Sequence, residues 1–180
     1  YVDVTDNLTF LKDNSFIWTS EKDGFNHIYH YDKAGKLKNQ VTKGKWEVTS
    51  YYGFDEKNKI IYYQSVENGS INRDIYSISI DGKSKKRLSL KTGTNNATFS
   101  PNFQYFINTH SSATSAPYYS LNDSKTSKEL KKIQSNELVE EKLAKYNVAP
   151  KEFSTITTEK GHVLNTWMIK PKDFDANKKY

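Results

Sequence analysis

Short apolar runs, each broken by turn residues, recur along this chain at a long and regular spacing. Phe16-Ile17-Trp18-Thr19-Ser20 alternates apolar and polar positions and runs into the turn Lys22-Asp23-Gly24. His27-Ile28-Tyr29-His30-Tyr31 follows, then Asp32-Lys33-Ala34-Gly35-Lys36, then a short strand ending at Val41-Thr42. Alternation with a period of two marks a half-buried strand, and glycine supplies the positive φ that a hairpin turn needs. About 45 residues on, the order returns. Ile60-Ile61-Tyr62-Tyr63 is a strand, Glu67-Asn68-Gly69 a turn, and Asp74-Ile75-Tyr76-Ser77-Ile78 a strand. Asp81-Gly82-Lys83 is a tight turn, and Arg87-Leu88-Ser89-Leu90 closes the unit. A third, less regular copy begins at Phe99-Ser100-Pro101-Asn102, where Pro101 and Asn102 suit a turn. It continues through Phe103 to Ile107, with Pro117 to Leu121 as third strand and Lys128 to Ile133 as fourth.

One four-stranded sheet cannot bury both of its faces, so repeated sheets stack on one another around a channel. The pattern therefore predicts an all-β fold, a partial β-propeller of about three four-stranded blades. A closed ring has roughly 4–8 blades, so further blades or association along open sheet faces are expected. A sandwich of about ten strands is the structural alternative.

Beyond the third copy the texture changes. Ser135 to Asn147 lacks alternation and reads as a short helix, with Val139, Leu143 and Tyr146 on one stripe. Ser135 or Asn136 would cap it, Glu137 stands early and Lys142 and Lys145 late, as the helix dipole favours. Pro150 blocks continuation. Glu152 to Thr157, the turn Glu159-Lys160-Gly161 and His162 to Ile169 form a hairpin that Pro171 ends. A boundary is expected near residue 148, dividing 1–148 from 149–180.

Composition narrows the class. The chain of 180 residues is 35% hydrophobic and 14% aromatic, too rich in rings for disorder. With a mean hydropathy of -0.84, it suits strands that pack on one side and meet water on the other. The net charge of +6 comes mostly from lysines scattered over turns, including Lys33, Lys36, Lys38 and Lys43. Even the Lys83 to Arg87 cluster follows an Asp-Gly turn, so no nucleic-acid partner is expected. The absence of cysteine excludes disulfides, thiol catalysis and Cys-ligated zinc. No stretch approaches the roughly 20 apolar residues of a membrane span. The start at Tyr1 and the unclosed Asp173 to Tyr180 tail suggest a fragment.

Asp23-Gly24-Phe25-Asn26-His27-Ile28-Tyr29, followed by Val41 to Val48, resembles the late propeller blades of the dipeptidyl peptidase IV type in the prolyl oligopeptidase family of serine peptidases. Gly44-Lys45-Trp46-Glu47-Val48 is the most specific element, and Phe99-Ser100-Pro101 fits the family and many other propellers. Gly161-His162-Val163-Leu164 through Asp175, with Lys178-Lys179-Tyr180, is similar to the strand pair that opens the α/β-hydrolase domain. Val2-Asp3-Val4-Thr5-Asp6 and the lysine-rich composition look most like bacterial, Bacteroidetes-type members. The resemblance implies that 1–148 are C-terminal blades and 149–180 the linker and first hydrolase strands. It further implies a serine exopeptidase that releases X-Pro or X-Ala dipeptides, with no cofactor, a peptide substrate, a homodimeric parent protein and a periplasmic location. The family's serine lies on a Gly-x-Ser-x-Gly elbow, a motif this sequence does not contain. The family's amine-binding glutamates sit in an earlier blade, so Glu140-Glu141, on the predicted helix, does not match them. No catalytic, substrate-binding or metal-ligating residue is expected in this segment. Blade repeats alone would equally support a non-catalytic binding scaffold.

The remaining candidates read as structure. His27 and His30, three apart on a strand, face opposite sides and cannot share a metal without a bulge. His110 lies beside Ser111 and Ser112, but no orienting third group or oxyanion hole is signalled. His162 sits at a hairpin turn. Trp18, Trp46 and Trp167 are expected to bury between blades and at the hydrolase junction rather than to form a ligand platform. Asn7, Asn68, Asn96 and Asn122 each begin an Asn-x-Ser/Thr pattern.

Overall fold

The chain's structure is a computed structural model that describes residues 7–146 and 148–179. Val2 to Asp6, Asn147 and Tyr180, which the sequence reading used, lie outside the described residues. Three four-stranded antiparallel sheets succeed one another along the chain. The first holds β1 (Thr9–Phe10), β2 (Phe16–Ser20), β3 (His27–Tyr31) and β4 (Leu37–Gln40). The second holds β5 (Val48–Asp55), β6 (Ile60–Ser65), β7 (Asp74–Ser79) and β8 (Lys86–Arg87). The third holds β9 (Thr94–Phe99), β10 (Tyr105–Ser111), β11 (Tyr118–Asp123) and β12 (Glu129–Gln134). In each sheet the strands lie in chain order. Three separate sheets of this kind are propeller blades, not the two sheets of a sandwich. After them come α1 (Glu137–Lys145) and a two-stranded hairpin, β13 (Lys151–Thr157) with β14 (Val163–Ile169).

The repeat persists because the same bonds are made twice. At the start of β3 the Ile28 amide donates to Thr42 Oγ1 at 2.9 Å, and Val41 N donates to Ile28 O at 2.8 Å. At the start of β7 the Ile75 amide donates to Ser89 Oγ at 3.2 Å, and Leu88 N donates to Ile75 O at 2.8 Å. A hydroxyl two positions beyond the last strand thus secures an amide that the ladder leaves free, and the apolar neighbour before it plugs the core.

Packing runs along two seams. Ile17, Ile28 and Val41 of the first sheet meet Val48, Ile61, Tyr63, Tyr76 and Ile78 of the second. On its other face the second sheet sets Tyr62, Ile75 and Leu88 against Ala97 and Phe106 of the third. Successive residues of β6 and β7 therefore serve opposite seams, which is why Ile60-Ile61-Tyr62-Tyr63 is apolar without alternation. The first and third sheets each have one face that no other described sheet covers. Phe10, Phe16, Trp18 and Tyr31 share the outer face of the first, with Phe16 and Tyr31 stacked at 5.1 Å. Tyr105 and Ile107 stand on the outer face of the third, 42% and 39% exposed.

The second seam is close enough to require a glycine. Gly53 has φ +142°, and a Cβ there would lie 2.7 Å from Phe103 Cζ, whose ring stacks on Tyr62 at 5.2 Å and 2°.

Burial of the ring hydroxyls gives an alkaline signature. Tyr52, Tyr62 and Tyr76 are each pushed up from 10.0 to about 12, mainly by desolvation of the phenolate. A raised folded-state value means stability that is full below 10 and lost as pH rises toward 12. Titration of tyrosinate absorbance is expected to show these rings ionising well above 10.0, toward about 12, with loss of the fold accompanying their ionisation. Their ionisation near 10 with the fold intact would contradict the packing.

Several boundaries differ from the sequence reading. The innermost strands β1 and β5 were not expected, and the third copy begins at Thr94 rather than Phe99. These strands carry polar and glycine residues among the apolar ones, so their pattern is weak. Strand β8 is only Lys86–Arg87, because Leu88 and Ser89 leave the ladder to close β7. Helix α1 has no side-chain N-cap: Asn136 stands there at φ 57°, ψ 28°. The side-chain Nδ2 of Asn136 instead donates to Pro117 O at 2.6 Å, tying the helix start to the third sheet. The Val139, Leu143 and Tyr146 stripe forms but is not buried.

Candidate functional site

The four histidines are placed separately. His27 is buried, donates from Nε2 to Gly44 O at 3.1 Å and meets Thr42 Oγ1 at 3.1 Å through Nδ1. Gly44 O can only accept, so Nε2 carries a hydrogen, and Thr42 Oγ1, which accepts the Ile28 amide, sits against Nδ1. The ring also makes an edge contact with Trp46 at 4.9 Å. His30 lies on the other face, where Nε2 donates to Ser15 Oγ at 3.0 Å, because that hydroxyl's proton is directed to Asp13. Burial holds its imidazole below the usual 6.5. His110 donates to Thr92 O at 3.0 Å and makes no bond to Ser111 or Ser112, while Ser112 pairs with Ser115. His162 is exposed at the β13–β14 turn. Among the described residues no three His, Cys, Asp or Glu side chains come together to hold a metal ion. Glu140 accepts the Ala116 amide at 3.1 Å, a link between helix and third sheet.

The tryptophans divide. Trp46 packs against the first seam. Trp18 and Trp167 are 42% and 61% exposed, against the expectation of burial. Trp18 stands on the outer face of the first sheet beside Tyr29, and Trp167 on the hairpin, where Lys151 Nζ lies 4.5 Å from its ring centre.

A buried polar knot at the second seam was not read from the sequence. Asp74, at the first position of β7, accepts from Arg87 Nη2 at 2.8 Å and Ser89 Oγ at 2.7 Å on one oxygen. Its other oxygen accepts from Asn68 Nδ2 at 3.0 Å. Asn95 of the third sheet closes the knot, donating to Arg73 O at 3.1 Å and Lys91 O at 2.9 Å and accepting Gln64 at its carbonyl at 2.6 Å. A signal existed: aligned repeats put Asp74 where His27 stands and Ser89 where Thr42 stands, so both positions needed a polar partner for the same hydroxyl.

The hairpin approaches the second sheet at its β6–β7 turn. Asn165 Nδ2 donates to Ser70 Oγ at 2.7 Å. Beside this contact a cleft of about 470 Å³ is lined by Ile71, Asn72, Thr94, Ser112, Lys151 and Phe153, among others. The arrangement can shape and line a space between sheets and hairpin. Among the described residues it brings together no nucleophile, base and oxyanion donors.

Comparison with known proteins decides the family. Residues 1–117 match the family described as Dipeptidyl peptidase IV (DPP IV) N-terminal region. The chain belongs to this family. A dipeptidyl peptidase 4 of Trichophyton rubrum is 34% identical over 168 residues, which is 92% of this chain and 22% of that protein. One from Arthroderma otae is 34% identical over 170 residues, with the same coverage of 92% and 22%. The crystal structure of Porphyromonas gingivalis dipeptidyl peptidase 4 superposes with a TM-score of 0.87 at 44% identity, over 93% of this chain and 24% of that one. The chain thus spans about 22% of the length of the curated relatives it matches. Within this family the three sheets are propeller blades, and the polar knot and aromatic seams are what join them. The family match itself stops at Pro117, so β11, β12, α1 and the hairpin are placed by the longer alignments alone.

Proposed function

We propose that this chain is part of the chamber wall of a serine exopeptidase that releases N-terminal X-Pro or X-Ala dipeptides. In this reading residues 1–148 are the C-terminal blades, and 149–180 are the linker and first strands of the peptidase domain. The blades narrow access and help to place the peptide's N-terminus; the nucleophile, its base and the amine-binding carboxylates belong to other parts of the protein. The observation that carries the reading is the distribution of uncovered apolar surface. Phe153, Ile156, Leu164, Trp167 and Met168 are all about half exposed or more, so the hairpin shows apolar side chains on both faces. A strand pair of this kind needs a further layer to bury it. A free-standing binding propeller would have no use for it. Likeness to named dipeptidyl peptidases over 92% and 93% of the chain supports the same reading. A bacterial, periplasmic setting and a homodimeric whole protein accompany the proposal.

The test is enzymatic. The complete gene product is expected to release dye from Gly-Pro and Gly-Ala chromogenic substrates and to lose that activity to serine-directed reagents. The 180-residue chain alone is expected to release none. A reading frame without Gly-x-Ser-x-Gly, or turnover by the purified 180-residue chain, would overturn the proposal.

A further inference from the structure

Asn68 is the one asparagine of the chain that precedes a glycine, and it stands in the exposed turn between β6 and β7. The turn demands that glycine: Gly69 sits at φ +105°, a conformation that side-chain-bearing residues resist. The asparagine is equally committed. Its Nδ2 gives both of its hydrogens to the protein, one to Asp74 Oδ2 at 3.0 Å and one to Tyr76 Oη at 3.1 Å. Next to this pair Glu67 keeps a buried Oε2 that accepts no hydrogen bond, and its charge is felt at Tyr63 and Tyr76. Arg87 and Ser89 donate to the other oxygen of Asp74 and Lys85 pairs with the other oxygen of Glu67, so the donor to Asp74 Oδ2 is the carboxamide nitrogen of Asn68.

An Asn-Gly pair carries its own chemistry. The Gly69 backbone nitrogen can attack Cγ of Asn68, since no side chain on Gly69 blocks its approach. A bond forms between that nitrogen and Cγ, the Cγ–Nδ2 bond breaks, and Nδ2 leaves as ammonia. The proton from the Gly69 amide goes to a solvent base, and the leaving nitrogen takes one from water. Water then opens the five-membered imide to aspartate or isoaspartate. The folded turn opposes each step. Gly69 N is held by Val66 O at 3.0 Å, and the leaving nitrogen is held by Asp74 and Tyr76. Asn72 braces the turn from the other side, donating from its amide to Gly69 O at 3.0 Å and from Nδ2 to Asn68 O at 3.1 Å.

We propose that Asn68 is a site of spontaneous deamidation that the native turn guards, and that conversion, once it occurs, unlocks the joint between the second and third sheets. The reaction removes the group the knot depends on. A carboxylate at position 68 can donate nothing to Asp74 and faces it, with Glu67 adjacent, as a like charge. Conversion follows local opening of the β6–β7 turn, and its product holds that turn open. The site thus records how long the chain has spent unfolded or partly opened.

Peptide mapping by mass spectrometry of the 180-residue chain tests this, after incubation in mildly alkaline buffer with and without urea. Conversion at Asn68 is expected to exceed that at every other asparagine when unfolded, and to slow at least about tenfold in the native protein, since it proceeds through opening. The variant Asn68→Gln, which cannot close the five-membered ring, is expected to abolish conversion at this position. Asn68→Asp, which imitates the product, is expected to lower the folding equilibrium constant about tenfold, as loss of a part-buried hydrogen bond to a charged group together with a new like-charge contact does. That loss is expected to shrink in an Asp74→Asn background, where the facing charge is gone. Equal rates in folded and unfolded chains would overturn the guarding role. An Asn68→Asp protein as stable as the parent, or an effect independent of Asp74, would overturn the unlocking.

Discussion

Replacing Phe106 with alanine is expected to cost about 3–5 kcal/mol of folding stability, the range for truncating a fully packed aromatic ring. Phe106 is 1% exposed and sits at the centre of the second seam with Tyr62, Ile75, Leu88 and Ala97. Its ring stacks on Phe99 at 5.2 Å, and Phe99 in turn meets Tyr62 at 4.6 Å. Removal takes one ring out of a chain of four, since Tyr62 also stacks on Phe103. The gap lies between two sheets whose own hydrogen-bond ladders keep their backbones in place, so neither collapses fully into it. A domain's whole stability is about 5–15 kcal/mol, so this one change takes a large share. Urea unfolding followed by circular dichroism measures it. Ile107→Ala is the control: the neighbouring residue points to the outer face, 39% exposed, and its loss is expected to cost less than about 1 kcal/mol. Equal losses at 106 and 107 would mean that the second and third sheets do not pack as described.

Asp74→Ala is expected to destabilise by about 3–5 kcal/mol, the cost of removing one partner from a buried, hydrogen-bonded ion pair. The Asp74 side chain is 2% exposed against 35% for Arg87, so the carboxylate is the deeper partner and the one that organises the rest. Its loss strands donors on Ser89 and Asn68 as well as the guanidinium. Arg87→Met is expected to cost less, because Asp74 keeps its neutral donors and the methionine keeps the stem's packing. The two changes together should be non-additive by more than about 1 kcal/mol, as residues in one network are. Additive losses in that double-mutant cycle would show that the knot is only a set of separate contacts. Exposed pairs such as Lys12–Glu56, where the lysine is 88% exposed, should contribute little by comparison.

Most of the blade architecture was legible in the sequence. β2, β3, β6 and β7 carry enough β-branched and aromatic residues to be read as strands, and their Asp-Gly and Asn-Gly turns fix hairpin positions. The strands that were missed, β1 and β5, share a physical cause. Val48–Asp55 is only partly buried along most of its length and includes Gly53, so its alternation is diluted. The tryptophans show the opposite error. Large rings suggest burial, but Trp18 and Trp167 are 42% and 61% exposed. Helix α1 was read correctly as a helix, yet its capping was not, because Asn136 bonds to Pro117, which is distant in sequence.

By itself, then, the sequence determined the local grammar: strand periods, turn chemistry, the repeat and the family signature in Gly44 to Val48. These are properties of neighbours along the chain, and a period of two or a Gly at positive φ leaves its mark within a few residues. The tertiary structure alone decided which face of each strand meets which neighbour. Tyr62 and Tyr63 are adjacent and chemically identical, yet one joins the second seam and the other the first. It also decided that Asp74 would be buried with Arg87, Asn68 and Ser89 rather than solvated like Asp81, which is exposed at its turn. Such choices depend on residues brought together by the stacking of whole sheets, and a pairing across that stack has no period along the chain to betray it.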